Sequence, residues 1–200
     1  HVHQQGGLLL HYQPKLDLRS NRVLQAEALL RWEHPQYGMV SPGEFIPLAE
    51  RTGSISLLTA WVISEGVRQL AEWSGRGIHL QVSLNISADD LINLDLRERV
   101  AQLLEQYRVD PQQLVFEITE SAVMQDQSRS LQVLEDLRRL GIGLSVDDFG
   151  TGYSSLSQLK RMPVQELKID QSFVRDLDEH SEDAVIVRST IEMSHSLGLK

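Results

Sequence analysis

Asp147 and Asp148 stand side by side at the end of an apolar-flanked run, Leu144-Ser145-Val146-Asp147-Asp148-Phe149, directly before Gly150-Thr151-Gly152. Adjacent carboxylates repel one another unless a cation shares them, and a hard divalent metal held by oxygen is the usual solution. The same residue types also make an ordinary acidic turn, so the pair needs partners to mean more. Candidates recur along the chain: Glu27 and Arg31 in Glu27-Ala28-Leu29-Leu30-Arg31, Asn85 in Asn85-Ile86-Ser87, Glu117 in Phe116-Glu117-Ile118-Thr119, and Lys168 with Asp170 in Leu167-Lys168-Ile169-Asp170. Singly, Asn85 reads equally as a buried amide, Lys168 as a salt-bridge partner, and Glu117 or Asp170 as an acid orienting a loop.

If these residues meet, Glu27, Glu117, Asp147, Asp148 and Asp170 bring more negative charge to one pocket than Arg31 and Lys168 offset. One or two Mg²⁺ or Mn²⁺ ions would neutralise it, with Asn85 as a neutral carbonyl ligand. Arg31 suits phosphate through its planar fork, and Lys168 supplies a movable point charge. Paired metals that activate a water against a phosphodiester fit this set without any side-chain nucleophile. None of the seven histidines sits in a comparable setting, and the absence of cysteine excludes thiol catalysis, disulfides and a cysteine zinc site.

Such a pocket requires strands that deliver alternate residues to one place. Leu8 to Leu18 and Val23 to Trp32 read as strands joined by only Arg19-Ser20-Asn21-Arg22, too short for a parallel crossover, so the expectation is an antiparallel hairpin with Pro14 at an edge or interruption. Ser41-Pro42-Gly43-Glu44 has capping-box spacing and opens a short helix that stops near Gly53, and a longer helix runs from about Ser56 to Ser74. The rhythm then becomes strand His79 to Ser87, helix Ala88 to Tyr107, strand Leu114 to Thr119, helix Ser128 to Leu140 and strand Gly143 to Asp148. A short helix Ser154 to Arg161, strand Glu166 to Asp170 and helix Ser181 to Leu197 complete it. Strands separated by helices predict parallel βαβ units. On the strands, Val82, Leu84 and Ile86 alternate with Ser83, Asn85 and Ser87, and the strands of Glu117, Asp147 and Lys168 repeat the arrangement. Convergence at the C-terminal mouth of a barrel follows.

The predicted fold class is α/β, a TIM-like (β/α)₈ barrel with an antiparallel first strand, spanning 8–200 and here lacking its C-terminal strands, since a full barrel takes eight strands and typically ~250 residues. An open sheet of the same units is the alternative. Residues 1–7 read as a linker or remnant outside the fold. With 41% hydrophobic residues and no composition break, 200 residues make one domain with a substantial core. A net charge of −9 argues against long nucleic acid as a partner, and no apolar run reaches the ~20 residues of a membrane span.

At these positions the chain resembles the EAL-domain family of cyclic-di-GMP phosphodiesterases. Glu27-Ala28-Leu29-Leu30-Arg31-Trp32 looks like the namesake motif, and Asn85-Ile86-Ser87, Phe116-Glu117-Ile118-Thr119-Glu120-Ser121, Asp147-Asp148-Phe149-Gly150-Thr151-Gly152 and Glu166-Leu167-Lys168-Ile169-Asp170 match later motifs in order. The resemblance implies hydrolysis of cyclic di-GMP to linear pGpG with Mg²⁺ or Mn²⁺. It implies Glu27, Asn85, Glu117 and Asp147 as metal ligands, Asp148 for a second metal, and Lys168 and Asp170 as supports of the attacking water and metal site. It further implies Arg31 as a phosphate contact, Gln13 of Tyr12-Gln13-Pro14 as a substrate contact, and Glu120 as the residue that holds the loop after Asp148. That loop, Gly150 to Ser155, is then expected to act as a switch. Upstream sensor or GGDEF domains, pairing into a homodimer and a cytoplasmic location, free or as the cytoplasmic part of a membrane-anchored protein, are also implied.

Two further family motifs, a glutamate and a glutamine on later strands, are not among these 200 residues, and the resemblance implies that turnover needs them. Two other readings stay open at this level. A noncatalytic cyclic-di-GMP receptor would bind without turnover, and a barrel lyase with a metal-stabilised enolate would be inert towards phosphodiesters.

Overall fold

The computed structural model describes residues 7–150, 156–178 and 181–200. The expected linker therefore lies almost wholly outside the described residues, as do Thr151 to Ser155 of the expected switch loop.

Strands β1 (Leu8–Asp17) and β2 (Arg22–His34) form the antiparallel hairpin, with Gln13 opposite Glu27 and Lys15 opposite Gln25. Pro14 lies just ahead of a register shift between Lys15 and Leu16, a position where its missing N–H is tolerated. β2 continues past Trp32 and pairs with a short additional strand, β3 (Gly38–Val40). The side chain of His34 makes this turn, its Nδ1 accepting from the backbone N–H groups of Gln36 and Tyr37.

Helices α1 (Pro42–Arg51) and α2 (Ile55–Gly75) follow. Ser41 is the N-cap of α1, but the expected capping box does not form: its side chain makes no capping bond, and its backbone carbonyl takes the Glu44 N–H instead. Next come the parallel strands β4 (Gln81–Asn85), β5 (Leu114–Thr119), β6 (Gly143–Phe149) and β7 (Glu166–Ile169). The strand order is β1-β2-β4-β5-β6-β7, with β3 beside β2.

Between β4 and β5 the expected single helix is two, α3 (Ala88–Leu91) and α4 (Leu96–Tyr107). Ser87 caps α3, accepting from the Asp90 N–H, but the Asn93 side chain takes the Asp95 N–H and so competes with the helical pattern. An unanticipated short helix, α5 (Glu120–Met124), starts directly on the cap Thr119 at the end of β5. The remaining helices are α6 (Gln127–Leu140), which ends on Gly141 at φ 101°, α7 (Leu156–Leu159) and α8 (Glu182–Ser196). After α8 the Lys200 N–H donates to Gln165 O and the Lys200 carbonyl accepts from the Leu167 N–H, the bonding of a parallel neighbour to β7.

Period two sends the apolar residues of each strand outward under the helices. Val82, Leu84, Leu114, Phe116, Leu144 and Val146 pack with Val67 and Leu70 of α2 and Leu134 and Leu137 of α6 in one continuous core. Gly66 lets α2 approach closely, because a Cβ there would lie 3.0 Å from both methyl groups of Leu84. The opposite face carries Ser83, Glu117 and Ser145, all fully buried. Lys15 on the first strand of the sheet lies 3.2 Å from Glu166 on β7, the last strand in the order, so the sheet has curled round far enough for its two ends to touch across a polar lumen. The architecture is thus a partial TIM-like barrel with an antiparallel first strand. Among the described residues no helix is long and apolar enough to cross a membrane.

Candidate metal centre at the barrel mouth

Three strands each place one carboxylate at the C-terminal end of the lumen: Glu27 from β2, Glu117 from β5 and Asp147 from β6. An oxygen from each lies within 4.8 Å of the others. Ladder register sets this arrangement, since Glu27 pairs with Ser83, Asn85 with Glu117, and Thr119 with Asp147. The Lys168 ammonium stands among them, donating to Glu117 Oε2 at 2.8 Å, Asp147 Oδ2 at 3.0 Å and Glu27 Oε2 at 3.1 Å.

Glu117 is the hub, with a side chain closed off from solvent. Burial alone would push its carboxyl up, but the charge of Lys168 and the hydrogen bonds from Lys15 and Lys168 hold it below the usual carboxylate value. A buried carboxylate left without such partners costs about 3–5 kcal/mol, so these contacts are needed for the fold as well as for the site. Lys168 shows the reciprocal effect. Burial opposes its charge, yet Glu117, Asp147 and Glu27 raise it well above the ordinary lysine value, and it stays an ammonium.

Asp148 takes another direction. Its backbone is left-handed at φ 54°, its N–H donates to Asp147 Oδ1 at 3.0 Å, and its carboxyl hydrogen-bonds Asp170 rather than joining the three. Partial desolvation, then the charges of Asp147 and Asp170, push the Asp148 carboxyl up. Asp170 is held down by the side chain and backbone N–H of Ser172, so the two neighbouring carboxyls are pushed in opposite directions. Asn85 reaches the group through its amide nitrogen, 3.3 Å from Glu27 Oε1. It does not show the expected carbonyl, because a neighbouring carboxylate demands a donor.

Arg31 stands apart from the acids. Its Nη1 donates to the Leu30 carbonyl, and it lines a cavity of ≈ 490 Å³ with Asn85, Thr119 and Asp148. Gln13 is exposed on β1 opposite Glu27. Glu120 opens α5, where burial pushes its carboxyl up, and the loop it was expected to hold lies outside the described residues.

Sequence reasoning missed the second cation of the lumen. Lys15 Nζ donates to Glu117 Oε1 at 2.7 Å, Ser83 Oγ at 3.1 Å and Glu166 Oε1 at 3.2 Å. Alternation from Gln13 would have placed Lys15 on the inner face. Glu166 likewise lies one pleat below Lys168.

Taken by formal charge, Glu27, Glu117, Asp147 and Glu166 face Lys15 and Lys168, four negative groups against two positive ones. The remaining two negative charges equal those of one divalent cation, and oxygen donors at this spacing fit a hard divalent ion. The residues present therefore suit a metal.

Comparison with known proteins agrees with this geometry. The bifunctional diguanylate cyclase/cyclic di-GMP phosphodiesterase MucR of Pseudomonas aeruginosa is 44% identical over 194 residues, which cover 96% of this chain and 28% of that protein. The cyclic di-GMP phosphodiesterase PA2567 of the same organism is 42% identical over 194 residues, covering 97% and 33%. The chain thus spans about a third or less of the length of these relatives. The solved structure of the MucR phosphodiesterase in complex with c-di-GMP superposes with a TM-score of 0.93 at 43% identity, covering all of this chain and 81% of that one. Residues 2–200 match the EAL domain, and with the glutamate of Glu27-Ala28-Leu29 set among the converging carboxylates, the chain belongs to the EAL domain family.

Proposed function

We propose that this domain carries out metal-dependent hydrolysis of one phosphodiester bond of cyclic di-GMP, giving linear pGpG. The observation that carries this reading is the meeting of Glu27, Glu117 and Asp147 around Lys168, beside a cavity lined by Arg31. The relatives named for the same activity support it.

Glu27, Glu117 and Asp147 would hold the first cation, with Asn85 turning its carbonyl towards it, and Asp148 with Asp170 would serve a second. Bound Mg²⁺ or Mn²⁺ supplies an acidified water and neutralises developing charge on the phosphate oxygens. Lys168, held as an ammonium, orients the attacking water by donation and shields the acids from one another. Arg31 forks onto a phosphate oxygen and Gln13 contacts the substrate from the facing strand. Glu120 steadies the loop after Asp148. The greater length of the relatives, one of which is also named a diguanylate cyclase, supports a parent protein in which sensor or GGDEF domains precede this one.

The test is conversion of cyclic di-GMP by the purified full-length protein with Mg²⁺ or Mn²⁺, followed by chromatography of the product. Glu117→Gln is expected to remove the activity. Binding of the dinucleotide with no pGpG formed at any metal concentration would establish a receptor instead.

A further inference from the structure

Glu117 has two oxygens, and each is committed to a different lysine. Oε2 faces Glu27 and Asp147 through Lys168, while Oε1 points to the other side and is taken by Lys15 at 2.7 Å. Lys15 is itself fixed. Ser83 Oγ and Glu166 Oε1 accept its remaining protons, Gln25 Nε2 grips Ser83 at 2.7 Å, and Ser145 Oγ donates to Glu166 Oε1 at 3.3 Å. Pro14 and the register shift on either side of Lys15 further restrict where it can go.

With Oε1 drawn by Lys15 to the side away from Glu27 and Asp147, Glu117 presents only Oε2 to a cation set among those acids, at the place where the Lys168 ammonium must give way. Mg²⁺ and Mn²⁺ accept this readily, because a small octahedral ion takes one oxygen from each carboxylate and fills its shell with water. Ca²⁺ is larger, takes six to eight oxygens and gains from carboxylates that bind through both. We propose that Lys15 is a specificity-determining positioning residue, which restricts Glu117 to one-oxygen ligation and so biases the site towards small divalent ions and against Ca²⁺. The inference rests on the metal reading above, and Lys15 does not itself touch the ion or the substrate.

Removing a positive charge so close to the site also raises its affinity for any cation, which would obscure a test made with a single ion. The ratio of two divalent affinities cancels that effect. The experiment is calorimetric titration of the purified full-length protein with Mn²⁺ and separately with Ca²⁺, comparing wild type with Lys15→Met, which keeps a stem of similar length. Ca²⁺ is expected to gain on Mn²⁺ by about tenfold, the lower end of what partners of metal ligands are worth. Equal factors for the two ions, or no change in either, would overturn the proposal. If circular dichroism shows that Lys15→Met does not fold, Lys15→Gln suits the same polar lumen but ends one bond short of Oε1, and it carries the same expectation and the same refutation. A wild-type protein that binds neither ion overturns this inference and the metal reading together. One that binds metal without hydrolysing cyclic di-GMP overturns only the hydrolase, and the affinity ratio still decides the role of Lys15.

Discussion

Lys168 Nζ lies 2.8 Å from Glu117 Oε2, joining residues 51 positions apart at the point where the carboxylates of β2, β5 and β6 converge. The ammonium holds together acids that would otherwise repel, and it occupies the oxygens that a metal would use.

Lys168→Met should therefore separate binding from turnover. With the competing ammonium gone, Mn²⁺ is expected to bind more tightly in calorimetric titration. The rate of pGpG formation should fall by about 100-fold, the scale on which a positioned proton-transfer group contributes. Weaker Mn²⁺ binding by a folded variant would mean that Lys168 assists the metal rather than standing in its place.

Among the described residues Arg31 makes no ion pair, and its Nη1 donates to the Leu30 carbonyl, so the rest of its fork can meet a phosphate in the adjoining cavity. A hydrogen bond to a charged group contributes about 1.5–3 kcal/mol, and Arg31→Ala should weaken cyclic di-GMP binding roughly 10- to 100-fold. Calorimetry in a Glu117→Gln background, where substrate is not consumed, measures this. An unchanged affinity would remove Arg31 from the substrate site.

Among the described residues the buried Tyr12 hydroxyl finds no partner, while its ring stands edge-on to Trp73, centroids 4.8 Å apart. Tyr12→Phe keeps the ring contact and drops the unsatisfied group, so it should stabilise the fold by about 1 kcal/mol, read from the urea midpoint. Burial, and then the charge of Glu65, raise the tyrosine above its ordinary value. The neutral form is favoured in the folded state, so its contribution is fully present below about pH 10 and is lost as the pH climbs towards the raised folded value. The phenylalanine variant should accordingly lose less stability above that pH than wild type.

Gly66 sits where α2 crosses Leu84, a side chain with no exposed surface. Gly66→Val forces its methyl groups into those of Leu84 and is expected to destabilise by about 1–3 kcal/mol in urea unfolding. Tolerance within a few tenths would show that the helix can back away from the sheet.

Much of this architecture follows from the sequence by itself because its signals are local. The four-residue link fixed the antiparallel hairpin, since nothing so short can cross a sheet. Alternation placed Ser83, Glu117, Ser145 and Asp147 on one face and Leu84, Phe116 and Val146 on the other, and the ordered motifs identified the residues that converge. The break at Asn93 and the early start of α5 at Thr119 were harder to read, because a side chain that competes for a backbone N–H acts against the hydrophobic period on which helix assignments rest. Tertiary structure alone decided the rest. That Asp148 turns from Asp147 towards Asp170 depends on one left-handed backbone angle at a residue other than glycine. That Lys15 and Lys168 divide the two oxygens of Glu117 depends on the lateral register of the strands and on how far the sheet curls before its first strand reaches its last. Those quantities arise from packing between distant segments, and no window of neighbouring residues contains them.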